Sequence, residues 1–229
     1  MSSAMEAAIA GGYAIEADLQ GTVDGGAVVH HDSVLGRLTI AEGKIASMSL
    51  SELKKVSFKS TSEKMLTLEE LVELVAGRTT LLLELKSGSN QDLRLTTHVA
   101  KVLAGYAGPV AAMSCEPQQV AALRSAMPEL TCGVVAAWRG RAEYGAFNMR
   151  KGRRLAHLAR IVGAAPQFLA LRADDLPSVV SVMVRSILRM PILAWTIRNE
   201  SERISALRLA DQIIFENFTP RYLAASSRR

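Results

Sequence analysis

Two cysteines in 229 residues cannot build a disulfide framework, and no Cys/His pair has metal-ligand spacing. Cys115 and Cys132 sit in apolar, strand-like runs, as expected of buried, reduced thiols in a cytoplasmic protein. No stretch reaches the roughly 18 uninterrupted apolar residues of a membrane-spanning helix. The longest candidate, Leu176 to Trp195, is cut by Arg185 and Arg189. No secretory leader is visible, because residues 1–13 lack a basic start and carry Glu6. Aromatic residues are only 5% of the chain, and few of them interleave with its basic residues. The cluster Arg139, Arg141, Arg150, Lys151, Arg153, Arg154 and Arg160 therefore reads as a solvated helix face, not a nucleic-acid site. The net charge of +5 suits a protein that attracts an anionic small-molecule substrate.

What remains is ample for a core, at 49% hydrophobic residues. Apolar runs alternate with helical patterns. Strands are predicted over Ala14–Gln20, Leu81–Lys86, Val110–Cys115, Thr131–Ala136, Phe168–Leu171, Ile192–Thr196 and Gln212–Glu216. Helices are predicted over 1–12, Leu66–Ala76, Gln91–Gly105, Pro117–Met127, Arg153–Val162, Leu176–Leu188 and Glu200–Leu209. Thr67 and Glu70 form a capping box, and Pro117 opens its helix. Such alternation implies a parallel sheet of α/β class, and at this length a TIM-type (β/α)8 barrel. Asp24-Gly25 signals a two-residue hairpin returning through Ala27–Asp32, a small β-hairpin and loop insertion after the first strand. Val34 to Ser62 reads as an irregular polar excursion. Residues 1–220 are expected to form one domain, with 221–229 as a flexible tail.

Glu16 and Asp18 lie two apart on a strand, so both project to one face. A two-residue turn would set Asp18 opposite His31 on that face. Glu84 and Lys86 repeat the spacing on another strand. Carboxylates converging in a barrel would repel unless a cation sat among them, and a hard divalent ion, Mg²⁺ or Ca²⁺, meets that need. Lys86 would hold a phosphate and His31 would shuttle a proton. Each signal alone has a plain alternative: a surface ion pair for E-x-K, a structural histidine for His31.

The run Ala7–Thr39 (AAIAGGYAIEADLQGTVDGGAVVHHDSVLGRLT) closely resembles the signature of the glycerophosphodiester phosphodiesterase family. It carries the alanine-rich helix, E-x-D, D-G, H-D and L-x-R-x-T in order. LLLELKS, AMSCEPQQVAALRSAMPEL, ILAWTIRNESE and ADQIIFENFTP extend the likeness over essentially the whole chain. The resemblance implies metal-dependent hydrolysis of glycerophosphodiesters to glycerol 3-phosphate and an alcohol. By it Glu16, Asp18 and Glu84 are metal ligands and His31 is one of a catalytic histidine pair, with His30 at a variable position. Lys86 contacts phosphate. Trp195 resembles a residue near the substrate's alcohol portion, and burial in the core is the other reading; Ser114 is expected to line the same mouth. His98 and His157 match nothing and are expected at the surface or in packing.

One departure stands out. The family's opening strand with H-R-G, and the P-E-N loop after it, are not among the 229 residues. Met1 is expected to be an internal methionine, the barrel's first strand to be missing, and the chain as it stands to be impaired in activity. An inactive phosphate-ester-binding protein is the alternative. A homo-oligomer is compatible with the sequence.

Overall fold

The computed structural model describes residues 2–86, 92–136 and 161–220. The basic cluster between Arg139 and Arg160, the helix expected from Arg153, His157 and the tail lie outside them. The described residues divide into two compact units: 2–134 with 161–166, and 135–136 with 167–220.

The first unit opens with helix α1 (Ser2–Ala10), closed by Gly12 at φ +70. Strand β1 (Ile15–Gly21) buries Ile15, Ala17 and Leu19 on one face and sets Glu16, Asp18 and Gln20 on the other. Antiparallel β2 (Ala27–Val29) pairs with it, and on its other side parallel β5 (Leu81–Lys86) does. Parallel β6 (Val110–Ser114) and β7 (Thr131–Ala136, its last two residues counted with the second unit) follow, giving the order β2-β1-β5-β6-β7. Helices α3 (Leu68–Val75), α4 (Arg94–Leu103) and α5 (Pro117–Ala126) connect these strands. Helix α3 starts at the Thr67–Glu70 capping box. It buries Leu68, Leu71 and Val75, one stripe at helical spacing. It stops where Ala76 and Gly77 turn left-handed.

The hairpin differs from expectation by one residue. Thr22 N–H donates to the Gly26 carbonyl (3.0 Å), enclosing three residues, Val23–Gly25, with Gly25 at φ +83. This is a three-residue loop ending in a left-handed glycine, not a two-residue turn. The register is therefore Leu19 to Val29, and His30 N–H donates to the Asp18 carbonyl at 2.9 Å. Asp18 stands opposite His30 rather than His31, because a single added loop residue moves every pair by one.

The excursion after the hairpin is also more ordered than its polarity suggested. Strands β3 (Val34–Leu35) and β4 (Gly43–Lys44) pair antiparallel, and Ser49 caps the short helix α2 (Leu50–Leu53) with a full capping box. Leu35, Ile45, Leu53, Val56, Phe58 and Met65 pack with Val28 into a satellite core. Those residues follow neither helical nor strand periodicity, so pattern alone did not reveal them.

The second unit contains parallel β8 (Phe168–Arg172), β9 (Ile192–Ile197) and β10 (Gln212–Phe215), with α6 (Val179–Ser186) and α7 (Glu200–Ala206) between them. Helix α6 begins three residues later than expected. Pro177 disfavours helix at the residue before it, and the cap falls to Ser178, bonded reciprocally with Ser181. All seven strands expected in barrel order are present.

Candidate metal centre

The site is built across two parallel strands. Their register sets Asp18 beside Glu84 and Gln20 beside Lys86. Alternation then turns Glu16, Asp18, Glu84 and Lys86 to one side. One oxygen from each of Glu16, Asp18 and Glu84 lies within 4.8 Å of the others. Lys86 closes the group, with Nζ 2.7 Å from Glu84 Oε1 and 3.0 Å from Asp18 Oδ1.

The electrostatics follow from crowding. Burial, then the charges of Asp18 and Glu84, push the Glu16 carboxyl well above its ordinary value, and Lys86 offsets only part of this. Burial also raises the Glu84 carboxyl; Lys86 pulls it down and Asp18 pushes it up. Burial alone would lower the Lys86 ammonium, but Glu84 and Asp18 outweigh it and hold it above its ordinary value. With Glu84 buried and Glu16 and Asp18 half-buried, three carboxylates crowd about one ammonium, and a further cation among them would relieve the crowding. The donor set is all hard oxygen, which fits a divalent cation of the Mg²⁺ or Ca²⁺ type.

His31 lies outside the oxygen cluster, although the field of its ring reaches Glu84. Its side chain is 50% exposed. Nδ1 is 2.8 Å from Asp32 Oδ1, and Arg37 Nε donates to Asp32 Oδ2 at 2.6 Å. Arg37 first, and then His31, holds the Asp32 carboxyl at about 2. With Nδ1 engaged by the Asp32 carboxylate, Nε2 is the ring nitrogen left for another partner. Gln20 Nε2 donates to the His31 carbonyl at 3.0 Å, tying the bend to β1. Roles for Asp32 and Gln20 were missed in the sequence. Position 20 continues the E-x-D alternation, and that was the available signal.

The remaining expected residues are placed as follows. Ser114 is buried, and its hydroxyl donates to the Leu85 carbonyl at 2.8 Å, so it stitches β6 to β5 instead of lining a mouth. Trp195 is half-buried on β9 in the second unit, paired in register with Arg172. His98 lies 3.0 Å from Glu69, a packing role. Both cysteines are free; burial pushes Cys115 and Cys132 up to about 11, so neither offers a thiolate near neutral pH.

The sequence and fold have close counterparts. The model of the glycerophosphoryl diester phosphodiesterase family matches residues 1–219. A glycerophosphodiester phosphodiesterase of Caldanaerobacter subterraneus is 38% identical over 85 residues, 34% of this chain and 35% of that protein. The match thus spans about a third of the length of that curated relative. Among solved structures, an Oleispira antarctica phosphodiesterase in complex with the product sn-glycerol-3-phosphate aligns at a TM-score of 0.78 and 21% identity, covering 93% of this chain and 85% of that one. A Thermotoga maritima glycerophosphodiester phosphodiesterase aligns at 0.69 and 21% identity, covering 93% and 86%. These likenesses show a (β/α)8 barrel fold. With a family model that fits nearly end to end, and the E-x-D and E-x-K strands side by side, the chain belongs to the glycerophosphoryl diester phosphodiesterase family.

Proposed function

We propose that the protein hydrolyses glycerophosphodiesters to glycerol 3-phosphate and an alcohol, with a divalent cation bound by Glu16, Asp18 and Glu84. The observation that carries this reading is the convergence of those three carboxylates within 4.8 Å, with Lys86 beside them. A cation there supplies Lewis acidity to a phosphoryl oxygen. Lys86 offers its ammonium to another phosphate oxygen as a point charge. Water attacks phosphorus as the bond to the alcohol breaks; His31 Nε2 takes the proton of that water or gives one to the departing alcohol, and Asp32 holds the ring for that transfer. The free thiols of Cys115 and Cys132 support a reducing, cytoplasmic setting, and the substrates belong to glycerophospholipid turnover.

A second reading is a phosphate-ester-binding protein without turnover, because the carboxylate cluster and Lys86 would by themselves hold a cation and a phosphate.

The test is to assay release of glycerol 3-phosphate from glycerophosphocholine with Mg²⁺ or Ca²⁺. EDTA should abolish it, and His31→Ala should lower it on the order of 10²-fold. Turnover surviving both sinks the mechanism. Binding of the diester by calorimetry, dependent on the cation and without product, selects the second reading; neither binding nor turnover rejects both.

A further inference from the structure

Helix α6 has a buried stripe, Ser181 and Val184, which gives it its place in the second unit. Its opposite face should be polar in a protein that meets only water. Instead Val179, Ile187 and Leu188 are 77%, 68% and 62% exposed, and Val182 and Met183 are more than half exposed between them. Positions 179, 182, 183 and 187 fall at helical spacing, so they form one continuous patch. Five such side chains expose on the order of 500 Å², the upper end for a soluble monomer and the mark of an interaction face.

The charge around the patch says what covers it. Between Asp175 and Glu200 there is no acidic residue, whereas Arg185, Arg189 and Arg198 fall in that stretch. Arg185 pairs with Asp211 at 3.1 Å, and Arg198 with Glu216 at 2.7 Å. Arg189, exposed at the end of the patch, makes no ion pair among the described residues. The patch is thus apolar with one cation unpaired among the described residues, Arg189, at its C-terminal end. It is also smaller than the roughly 800 Å² that each partner of a stable dimer buries. An apolar helix face of this size flanked by arginine matches the interfacial layer of a bilayer that carries anionic lipid.

We propose that the exposed face of α6 docks the protein on anionic lipid membranes, its aliphatic side chains entering the headgroup–acyl boundary and Arg189 contacting lipid phosphate. This goes beyond the hydrolytic reading and stands independently of it, since it rests on none of the residues of the carboxylate cluster.

The experiment is co-sedimentation of the full chain with vesicles of phosphatidylcholine containing 30% phosphatidylglycerol, beside pure phosphatidylcholine, at low salt. The chain should partition onto the anionic vesicles several-fold better than onto the neutral ones. Val182→Asp with Ile187→Asp should reduce binding at least tenfold, and Arg189→Glu by about fivefold or more. The milder pair Met183→Gln and Ile187→Ser should weaken binding in the same direction. All variants should melt as the parent does, since the altered side chains are exposed. No partition onto either vesicle overturns the proposal, and so does unchanged binding by both multiple variants. Light scattering at tens of micromolar protein is the remaining control: a dimer that Val182→Asp with Ile187→Asp splits assigns the face to a second copy and overturns it too.

Discussion

Replacing Glu16 by glutamine removes one of three carboxylates without changing the side chain's shape. Its oxygen lies within 4.8 Å of one from Asp18 and one from Glu84. At that separation and an effective dielectric constant of about 20, one like-charge pair costs about 3.5 kcal/mol. Two pairs are relieved, but Lys86 already neutralises much of the field of the other two carboxylates, being 2.7 and 3.0 Å from them. A net relief on the order of 1–2 kcal/mol remains, worth roughly 2–8 °C in a chain of this length. Without a divalent cation the variant should therefore be the more stable protein. The sign depends on pH. The Glu16 carboxyl is raised in the folded state, so its contribution to stability is full below its ordinary value of 4.5 and is lost as pH rises through the raised value. The gap between variant and parent should be absent near pH 4 and open above it. Saturating cation should reverse the order. At a hundred times its dissociation constant, the cation adds about 2.7 kcal/mol to the parent, and far less to a site short of one ligand. Thermal melts at pH 4 and pH 8, in EDTA and in millimolar Mg²⁺ or Ca²⁺, read all of this. A variant less stable than the parent in EDTA at pH 8, or an equal gain from cation in both proteins, refutes the reasoning.

Two further outcomes follow from the hairpin and its satellite core. Leu53 is fully buried in that cluster, so Leu53→Ala should cost about 2–5 kcal/mol in urea unfolding; a loss under about 1 kcal/mol would mean that the cluster opens independently. The Asp32 carboxyl is held at about 2 rather than its ordinary 3.8, by Arg37 first and then His31, so the stability it confers is present above pH 4 and lost as pH falls towards 2. Arg37→Ala should move the acid-unfolding midpoint upward, modestly because Arg37 is largely exposed, and circular dichroism between pH 2 and 5 would show an unmoved midpoint if the pair contributes nothing.

Much of this was legible in the residues because two periodicities carried it. The seven strands announce themselves as short apolar runs, and Thr67–Glu70 and Pro117 mark helix starts by mechanisms that need no tertiary context. The two-residue spacings of Glu16 with Asp18, and of Glu84 with Lys86, gave the facing of the side chains. Only the parallel register between β1 and β5, which no local pattern encodes, brings Asp18 beside Glu84. The satellite core escaped notice because Ile45, Leu53, Val56 and Phe58 are held by the closure of a loop, not by a repeat. Ser114 was misplaced for a related reason. A hydroxyl at a strand end reads as available until its neighbour's carbonyl is known, and Leu85 takes it.

The hairpin shows how a local sequence signal can be right about existence and wrong about geometry. Asp-Gly promises a turn, and a turn forms, but Asp24 spends its carboxylate on the Thr22 hydroxyl and the Leu50 N–H. Those bonds fit a loop one residue longer, with Gly25 taking the left-handed position. The slip has a chemical consequence. A histidine within the strand ladder would have its ring direction fixed by the pleat; that place goes to His30, which is buried with Nδ1 engaged by the Asp32 carbonyl. His31 falls just past the end of β2, on a bend. There its backbone is held by Gln20 and its ring by Asp32, itself braced by Arg37. An imidazole set this way keeps one nitrogen fixed and its ring half exposed, the setting that the proposed proton transfer would use. The extra loop residue and the Gln20–Asp32–Arg37 bracket are thus two halves of one arrangement: the first frees His31 from the sheet, and the second restores the orientation that the sheet would have imposed.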